Sequence, residues 1–526
     1  MRRWARCIVL LGALGALDAF AQVFRYAYPG DILTLDPHSA NEILTNSFKM
    51  NLYEGLVRWS RDFEPEPALA ESWTNVDPLT WRFKLRRGVT FHDGTPFTAD
   101  DVVFSFGRQK SKKAGNAEQL VTIKEVRKVD DYTIEYVTFG PDPILIRNLT
   151  EHYIVSKKWC EEHRTTEPVV GLSDETYATR HENGTGAFQL QERVPDTRTV
   201  LVPFPGWWDL PKKQYNITRA EFRPIANAAT RLAALISGEV DLTSAVAPQD
   251  VARLDHQAGI HVLKRPEIRI LYLGMDQWRD ESLDMPGSKK NPFKDVRVRR
   301  AVYQAIDVEA IRAKVMRGMA SPTGELVPQG LNGYDPALRE RLPYDPAGAR
   351  KLLAEAGYPD GFPVTLDCTN DRYAYDEALC QSLVPMLARV GVRLTVNSMN
   401  KSKFNDKILK KSNNNTTFFF SGWGSVAFDA SMTLLPLALM KGEGAGTWNA
   451  GRYSNPRVEE LMTQARVEMN PERRRKLISD AIRTHKEDVG HIPLYEPMVL
   501  WAVRDGVEVN LDPRDYVLLR FVSIRK

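Results

Sequence analysis

Residues 379–396 read Leu-Cys-Gln-Ser-Leu-Val-Pro-Met-Leu-Ala-Arg-Val-Gly-Val-Arg-Leu-Thr-Val, and two periods succeed each other within them. Leu379, Leu383, Met386, Leu387 and Val390 recur at helical spacing, and Gly391 is placed to stop the helix. Val392, Leu394 and Val396 then alternate with Arg393 and Thr395 as a strand. Helix, glycine, strand is the repeating unit of a mixed α/β protein. The same alternation extends outward. Trp81, Phe83 and Leu85 alternate with Arg82 and Lys84 before a turn at Arg86-Arg87-Gly88, and Ile134 and Tyr136 follow a turn at Asp130-Asp131. Asp295 and Asp307 precede helix-like runs and are expected as N-caps, with no chemistry assigned to them. Thr416 to Ser421, around Phe418-Phe419-Phe420, reads as a buried strand that Gly422-Trp423-Gly424-Ser425 breaks. The two glycines admit a close backbone approach, and the indole offers a flat face and one N–H. Such a Trp is either a binding surface or a core residue beside a turn.

The first 21 residues are expected to be removed. Arg2, Arg3 and Arg6 precede an apolar run from Ile8 to Leu17, and Ala19-Phe20-Ala21 supplies a small-x-small cleavage pattern. That run is about half of what spans a bilayer, so a cleaved signal peptide fits better than an anchor. Cys7 precedes the run and is not placed to accept a lipid. A periplasmic product starting at Gln22 is the expectation. Residues 22–526 exceed what one hydrophobic core supports, so at least two lobes are expected. The net charge of +4, half of it in the leader, argues against nucleic acid, and Lys110, Lys112 and Lys113 read as a solvated loop, as does Lys410-Lys411. Cys160, Cys368 and Cys380 remain after processing. Cys368 ends a strand-like run and Cys380 lies in a helix-like one; a local disulfide is expected, with a pair of buried free thiols as the alternative. Neither a metal-binding nor a nucleophile motif occurs. His485 and His491 lack a matching carboxylate, and Gly184-Thr185-Gly186 lacks the third glycine of a nucleotide loop. No catalytic residue, metal or cofactor is expected.

Several segments together carry a resemblance. Leu35-Asp36-Pro37-His38, Leu52-Tyr53-Glu54-Gly55-Leu56, Ala68 to Trp73, and Phe91-His92-Asp93-Gly94-Thr95-Pro96-Phe97 with Ala99 to Ser105 come first. Gly184 to Phe188, Trp207-Trp208, Arg231 to Leu235, Ser237 to Asp241, Asp295 to Ala301, Ala356 to Phe362, Tyr453 to Pro456 and Ile492 to Tyr495 follow in order. The chain resembles family 5 of the bacterial extracellular solute-binding proteins, which serve dipeptide, oligopeptide and nickel ABC importers. The resemblance implies an α/β, two-lobed periplasmic-binding-protein-like fold of type II, in the large form with an extra subdomain. Lobe I would comprise residues 22–57, 184–268 and 495–526, an inserted subdomain 58–183, and lobe II 269–494, with the ligand in the cleft between lobes. It further implies a monomer that captures a small-molecule or peptide-like ligand by hinge closure and delivers it to an inner-membrane ABC permease with ATPase subunits. A receptor for an opine or oligosaccharide, or a periplasmic chaperone or signalling sensor on the same fold, is the alternative.

Site residues follow from the same resemblance. Arg372, in Asn370-Asp371-Arg372-Tyr373, stands where similar receptors pair an Arg with the ligand carboxylate; the plain reading is a surface Arg bridged to Asp371 or Asp376. Trp423, Gly424 and Ser425 resemble the segment lying along a ligand backbone, and Asn41, Glu42 and Ile43 the first lobe's contacting segment. Peptide-binding relatives carry an Asp three positions after this Trp to hold the ligand's amino terminus. Here that position is Val426, and Asp429 is the nearest substitute. Without one, ligands with a neutral or capped end are expected to be favoured.

Overall fold

The computed structural model describes residues 22–169, 175–285, 290–409, 415–440, 442 and 445–525. The expected leader with Cys7, and Lys410-Lys411, lie outside the described residues. A twelve-stranded mixed sheet runs through the molecule in two groups. In the first, Val23–Tyr28 lies parallel to Arg219–Pro224 and Leu242–Thr243, with Arg198–Pro203 and Phe188–Val194 added antiparallel. In the second, Arg269–Met275 pairs antiparallel with Phe418–Gly424, while Pro363–Thr369 lies parallel to Arg393–Met399. The long strand Ile492–Arg504 joins the groups. Its beginning pairs with Arg269–Met275, and its later residues pair with Ile260–Pro266 and Leu242–Thr243. A separate antiparallel sheet is formed by Ala70–Asp77, Thr80–Leu85, Thr133–Thr138 and Ile123–Asp130. Each group has its own apolar core: Phe24, Phe48 and Trp501 in the first, Leu273, Leu366 and Phe418 in the second, Phe83 and Tyr136 in the small sheet.

The local signals act where the periods place them. Helix Asp376–Ala388 buries Leu379, Leu383 and Leu387, and strand Arg393–Met399 follows. Gly391 between them has φ +86°, and a Cβ there would crowd the Asp360 carbonyl at 3.1 Å, so glycine is required for both torsion and space. Asp295 caps Val296–Gln304 by accepting from the Arg297 N–H at 2.8 Å, and Asp307 accepts from the Ala310 N–H at 2.8 Å. One expectation is corrected. The strand does not break at Gly422 but continues to Gly424, because Gly422, Trp423 and Gly424 pair in register with Leu271, Ile270 and Arg269. A Cβ on Gly422 would lie 2.5 Å from Leu271 Cδ2, so this glycine permits the pairing it was expected to end.

Two recognised motifs are structural. Asp36 binds Arg108 through both oxygens, at 2.7 and 2.6 Å, and ties the segment after strand Val23–Tyr28 to helix Ala99–Gln109. Burial raises the Asp36 carboxyl, but Arg108 outweighs it and holds the group at about 2. Glu54 accepts from Trp208 Nε1 at 2.8 Å, Thr185 Oγ1 at 3.1 Å and Trp207 Nε1 at 3.3 Å, gathering three distant motifs on one carboxylate.

Candidate functional site

The loop after Pro363–Thr369 carries Arg372 and is held at both ends. Cys368 and Cys380 are joined as a disulfide, leaving Cys160 free and buried. Asp376 accepts from Thr369 Oγ1 at 2.7 Å and from the Arg372 and Tyr373 N–H groups at 3.1 and 3.3 Å. Asp371 accepts from the Lys401 N–H at 2.7 Å, and the Asn370 N–H donates to the Met399 carbonyl at 3.1 Å, with Asn370 exposed. The guanidinium of Arg372 bridges neither Asp371 nor Asp376. It lies 5.0 Å over the Tyr373 ring and 5.9 Å from Trp448, and its buried Nη1 has no hydrogen-bond partner among the described residues. A buried guanidinium nitrogen left unpaired is costly, and a ligand carboxylate is the natural complement.

Beside it runs an open strand edge. Strand Pro363–Thr369 pairs with Phe418–Gly424 only at Phe418 and Phe419, so from Phe420 to Gly424 this edge has no neighbouring strand among the described residues. Tyr373 Oη reaches the Gly422 carbonyl there at 3.3 Å. Trp423 donates its indole N–H to the Met432 carbonyl at 2.7 Å and packs on Trp448 with ring centres 5.4 Å apart. On the opposite edge Arg269, facing Gly424 in register, pairs with Glu267 at 3.1 Å and lies 5.8 Å from the Tyr373 ring. Two guanidinium groups, aromatic faces and a strand edge thus lie together around Tyr373 and Trp448.

A neighbouring group of side chains is acidic. Tyr28 ends the first strand and hydrogen-bonds Asp515, which also accepts from Trp501 Nε1 at 2.5 Å. Asp515 has φ +67°, a torsion that Asp tolerates better than most residues. Burial pushes its carboxyl up to about 7, helped by the charges of Glu267 and Asp512 and opposed by the two hydrogen bonds. Glu267 sits between strands Ile260–Pro266 and Arg269–Met275, and burial raises its carboxyl too.

Several expected site residues have other duties. Asp429 is fully buried and accepts from Arg474 Nη1 and Nη2 at 2.8 and 2.7 Å, from Ser431 Oγ at 2.6 Å and from Asn332 Nδ2 at 2.8 Å. It therefore does not stand in for the acid missing at Val426. Ser425 is also buried and donates its Oγ to the Asp429 carbonyl at 2.9 Å, tightening a turn rather than facing the cleft. That turn places Phe428 against Trp59 and Phe63, with ring centres 4.8 and 5.4 Å apart. Glu42 caps helix Ile43–Leu52, accepting from the Leu44 and Thr45 N–H groups at 3.0 and 2.9 Å. Asn41 accepts from Asn46 Nδ2 at 2.8 Å, and Ile43 packs against the Tyr516, Leu518 and Phe521 cluster. Arg269, Glu267, Tyr28, Asp515 and Trp448 were not singled out by the sequence, since each reaches the cleft through a chain crossing or a distant loop. His485 and His491 hold each other, Nε2 to Nδ1 at 2.9 Å, and no metal-holding group of His, Cys, Asp and Glu occurs among the described residues. No helix among them is long and apolar enough to cross a membrane.

Two strand groups joined by the long strand Ile492–Arg504 have the architecture of a two-lobed solute receptor. Residues 64–444 match the family model for bacterial extracellular solute-binding proteins, family 5 (middle), and the chain belongs to that family. It is similar to the glutathione-binding protein GsiB of Escherichia coli O1:K1 / APEC, 28% identical over 505 residues, covering 93% of this chain and 92% of that protein. Among solved structures it resembles HbpA2 of Haemophilus parasuis, with a TM-score of 0.83 and 25% identity, covering 96% of this chain and 100% of the other. It shares its fold with the periplasmic binding protein DppA of Helicobacter pylori in complex with the peptide STSA, at a TM-score of 0.74 and 24% identity, over 96% and 98% of the two chains. The chain is a solute-binding component of the ABC-import class, and its family is one of binding proteins.

Proposed function

We propose that this protein captures a short peptide or glutathione-like solute with a free carboxylate, closes its lobes over it, and presents the closed form to an ABC permease with ATPase subunits. The observation that carries this reading is the unpartnered Arg372 guanidinium beside the open edge Phe420–Gly424. An extended ligand backbone would add to that edge while its carboxylate meets Arg372, with Arg269 near by. Trp423 and Trp448 offer apolar faces, and Gly424 lets the backbone come close. The ammonium, which Val426 cannot pair, would meet Asp515 and Glu267 on the opposite wall. A zwitterion between the walls would favour the closed form, because closure then pairs its carboxylate with the arginines and its ammonium with the acids. Relatives named for glutathione and short peptides support this class of ligand.

Secretion with cleavage after Ala21, and a monomeric product, complete the proposal; the intact mass of the exported protein tests the first. For the ligand, a thermal-shift screen should compare reduced and oxidised glutathione, free and amino-acetylated dipeptides, opine-like compounds and oligosaccharides. At a hundred times its dissociation constant, a true ligand stabilises by about 2.7 kcal/mol. Stabilisation by glutathione or free dipeptides is expected. Stabilisation by neutral oligosaccharides alone would refute the peptide-like reading.

A further inference from the structure

Two phenylalanines hold backbone torsions that a bulky side chain disfavours, and they stack on each other. Phe63 has φ +62° and Phe428 has φ +51°, both in the left-handed region where such a residue is strained. Phe63 lies in the turn of the hairpin formed by Val57–Trp59 and Pro65–Pro67. Phe428 closes the turn that follows Phe418–Gly424, donating its N–H to the Ser425 carbonyl at 3.1 Å. The two ring planes are 18° apart and the ring centres 5.4 Å apart. Although each stands on a turn, they are only 6% and 2% exposed. Strain of this kind persists only where the surroundings hold it.

Those surroundings come from two parts of the chain. The backbone of the Phe428 turn is held from its own side: the Phe428 carbonyl accepts from the Asn332 N–H at 2.8 Å, and Arg474 grips the adjoining Asp429. The Phe428 ring is held from elsewhere, with Trp59 4.8 Å away and the Arg514 guanidinium 5.1 Å over it. Arg265, on strand Ile260–Pro266, lies 4.5 Å over Phe63, so each ring also meets a cation. The Phe63 hairpin is tied to the carboxyl-terminal segment, where Asn510 Nδ2 donates to the Arg61 carbonyl at 2.9 Å and Arg520 to that of Trp59. Arg147 spans the junction, donating to the Phe428 carbonyl at 3.4 Å and to Glu64 at 2.7 Å. One strained turn thus belongs with the strand group of Phe418–Gly424, the other with the group of Ile260–Pro266. Phe428 stands four residues after the open edge, and Arg514 directly precedes Asp515. The stack therefore joins the two sets of groups proposed to meet the ligand.

We propose that Phe63 and Phe428 are the positioning residues of solute capture, a latch whose stack forms as the two strand groups close and parts as they open. Neither ring touches the solute. A solute that bridges Asp515 and Arg372 draws the two turns together, and the stack then adds to the stability of the closed form. Parted, both turns relax to unstrained torsions, which gives the open form a stable arrangement of its own. The inference rests on the reading that this protein closes over a ligand, but its first test needs none.

That test puts 4-fluorophenylalanine in place of Phe428 in the full-length protein and records fluorine NMR spectra without ligand. A signal free of ring shielding is expected, alone or beside a shielded one that Phe63→Leu removes. A shielded signal by itself would make the stack permanent and overturn the latch, independently of any ligand. The second test is calorimetry with the solute that gives the largest thermal shift. Phe428→Leu and Phe63→Leu should each weaken it about fivefold by lowering the closed fraction, with any preference for a free acid over its amide kept. The double variant should bind no more weakly than either single one, because a single contact is lost. Unaltered affinity, or two losses that simply add, would overturn the proposal. A lost acid preference would overturn it too, by making the rings part of the ligand site.

Discussion

Arg372, expected at the site, and Arg474, the partner of another expected site residue, Asp429, differ in what they touch. Arg474 grips Asp429 through two nitrogens and adds Ser431 Oγ at 3.2 Å, all of it buried. Arg372 has two acids near it in sequence and pairs its guanidinium with neither. Asp371 and Asp376 instead receive backbone N–H groups and hold the loop in shape. A saturated buried pair fixes structure; an orphaned guanidinium on a pinned loop is prepared for something that arrives from outside. Glu267 and Asp515 extend the contrast: burial raises both carboxyls, but Glu267 has a guanidinium partner, Arg269, at 3.1 Å.

The contrast breaks most sharply at Asp429. Asp429→Ala leaves Arg474 charged and buried, and should lower stability by about 3–5 kcal/mol in denaturant unfolding. A loss below about 1 kcal/mol would mean that the pair is not structural. Arg372→Ala should do the reverse. The ligand found by the thermal-shift screen should bind about 2–5 kcal/mol more weakly by calorimetry, with the empty protein's melting temperature unchanged. A variant that melts early and binds normally would make Arg372 a structural residue.

The disulfide sharpens the same comparison, because Cys368 and Cys380 bracket the Arg372 loop. Reduction should remove about 3 kcal/mol on the loop-entropy model. Oxidised, denatured protein processed after Ala21 should show a single reactive thiol, Cys160; three thiols would contradict the bridge. The smallest effect is expected at Asp515, whose folded pKa of about 7 lies above the ordinary value of about 3.9. The folded state therefore holds this proton longer than the unfolded state, and stability drains away as pH rises from about 4 through about 7. Asp515→Asn should stabilise the empty protein at pH 8 by about 1–3 kcal/mol, leave it little changed at pH 4, and weaken a ligand with a free ammonium. Melting curves at the two pH values check the sign.

Legibility followed the range of the interaction. Helix Asp376–Ala388, Gly391 and strand Arg393–Met399 were readable because their periods are local. The family could be read because its motifs are conspicuous folding devices, as Asp36 with Arg108 and Glu54 with its two indoles now make clear. Gly422 misled because its strand partner, Leu271, lies far away in sequence. Asp429 misled for the same reason, its guanidinium partner sitting on helix Pro471–Glu487. Asp515 gave one local signal that went unread, a second acid in the turn Asp512-Pro513-Arg514-Asp515, but nothing local says that the turn returns to Tyr28.

The most direct test of Arg372 as the carboxylate-binding group is a calorimetric titration of one peptide in two forms. The peptide giving the largest thermal shift should be measured as free acid and as C-terminal amide, against the native protein and Arg372→Ala. We predict that the native protein prefers the free acid by at least about tenfold, roughly 1.4 kcal/mol, and that this preference disappears in the variant. A preference that survives intact in Arg372→Ala would contradict the assignment and place the carboxylate elsewhere in the cleft.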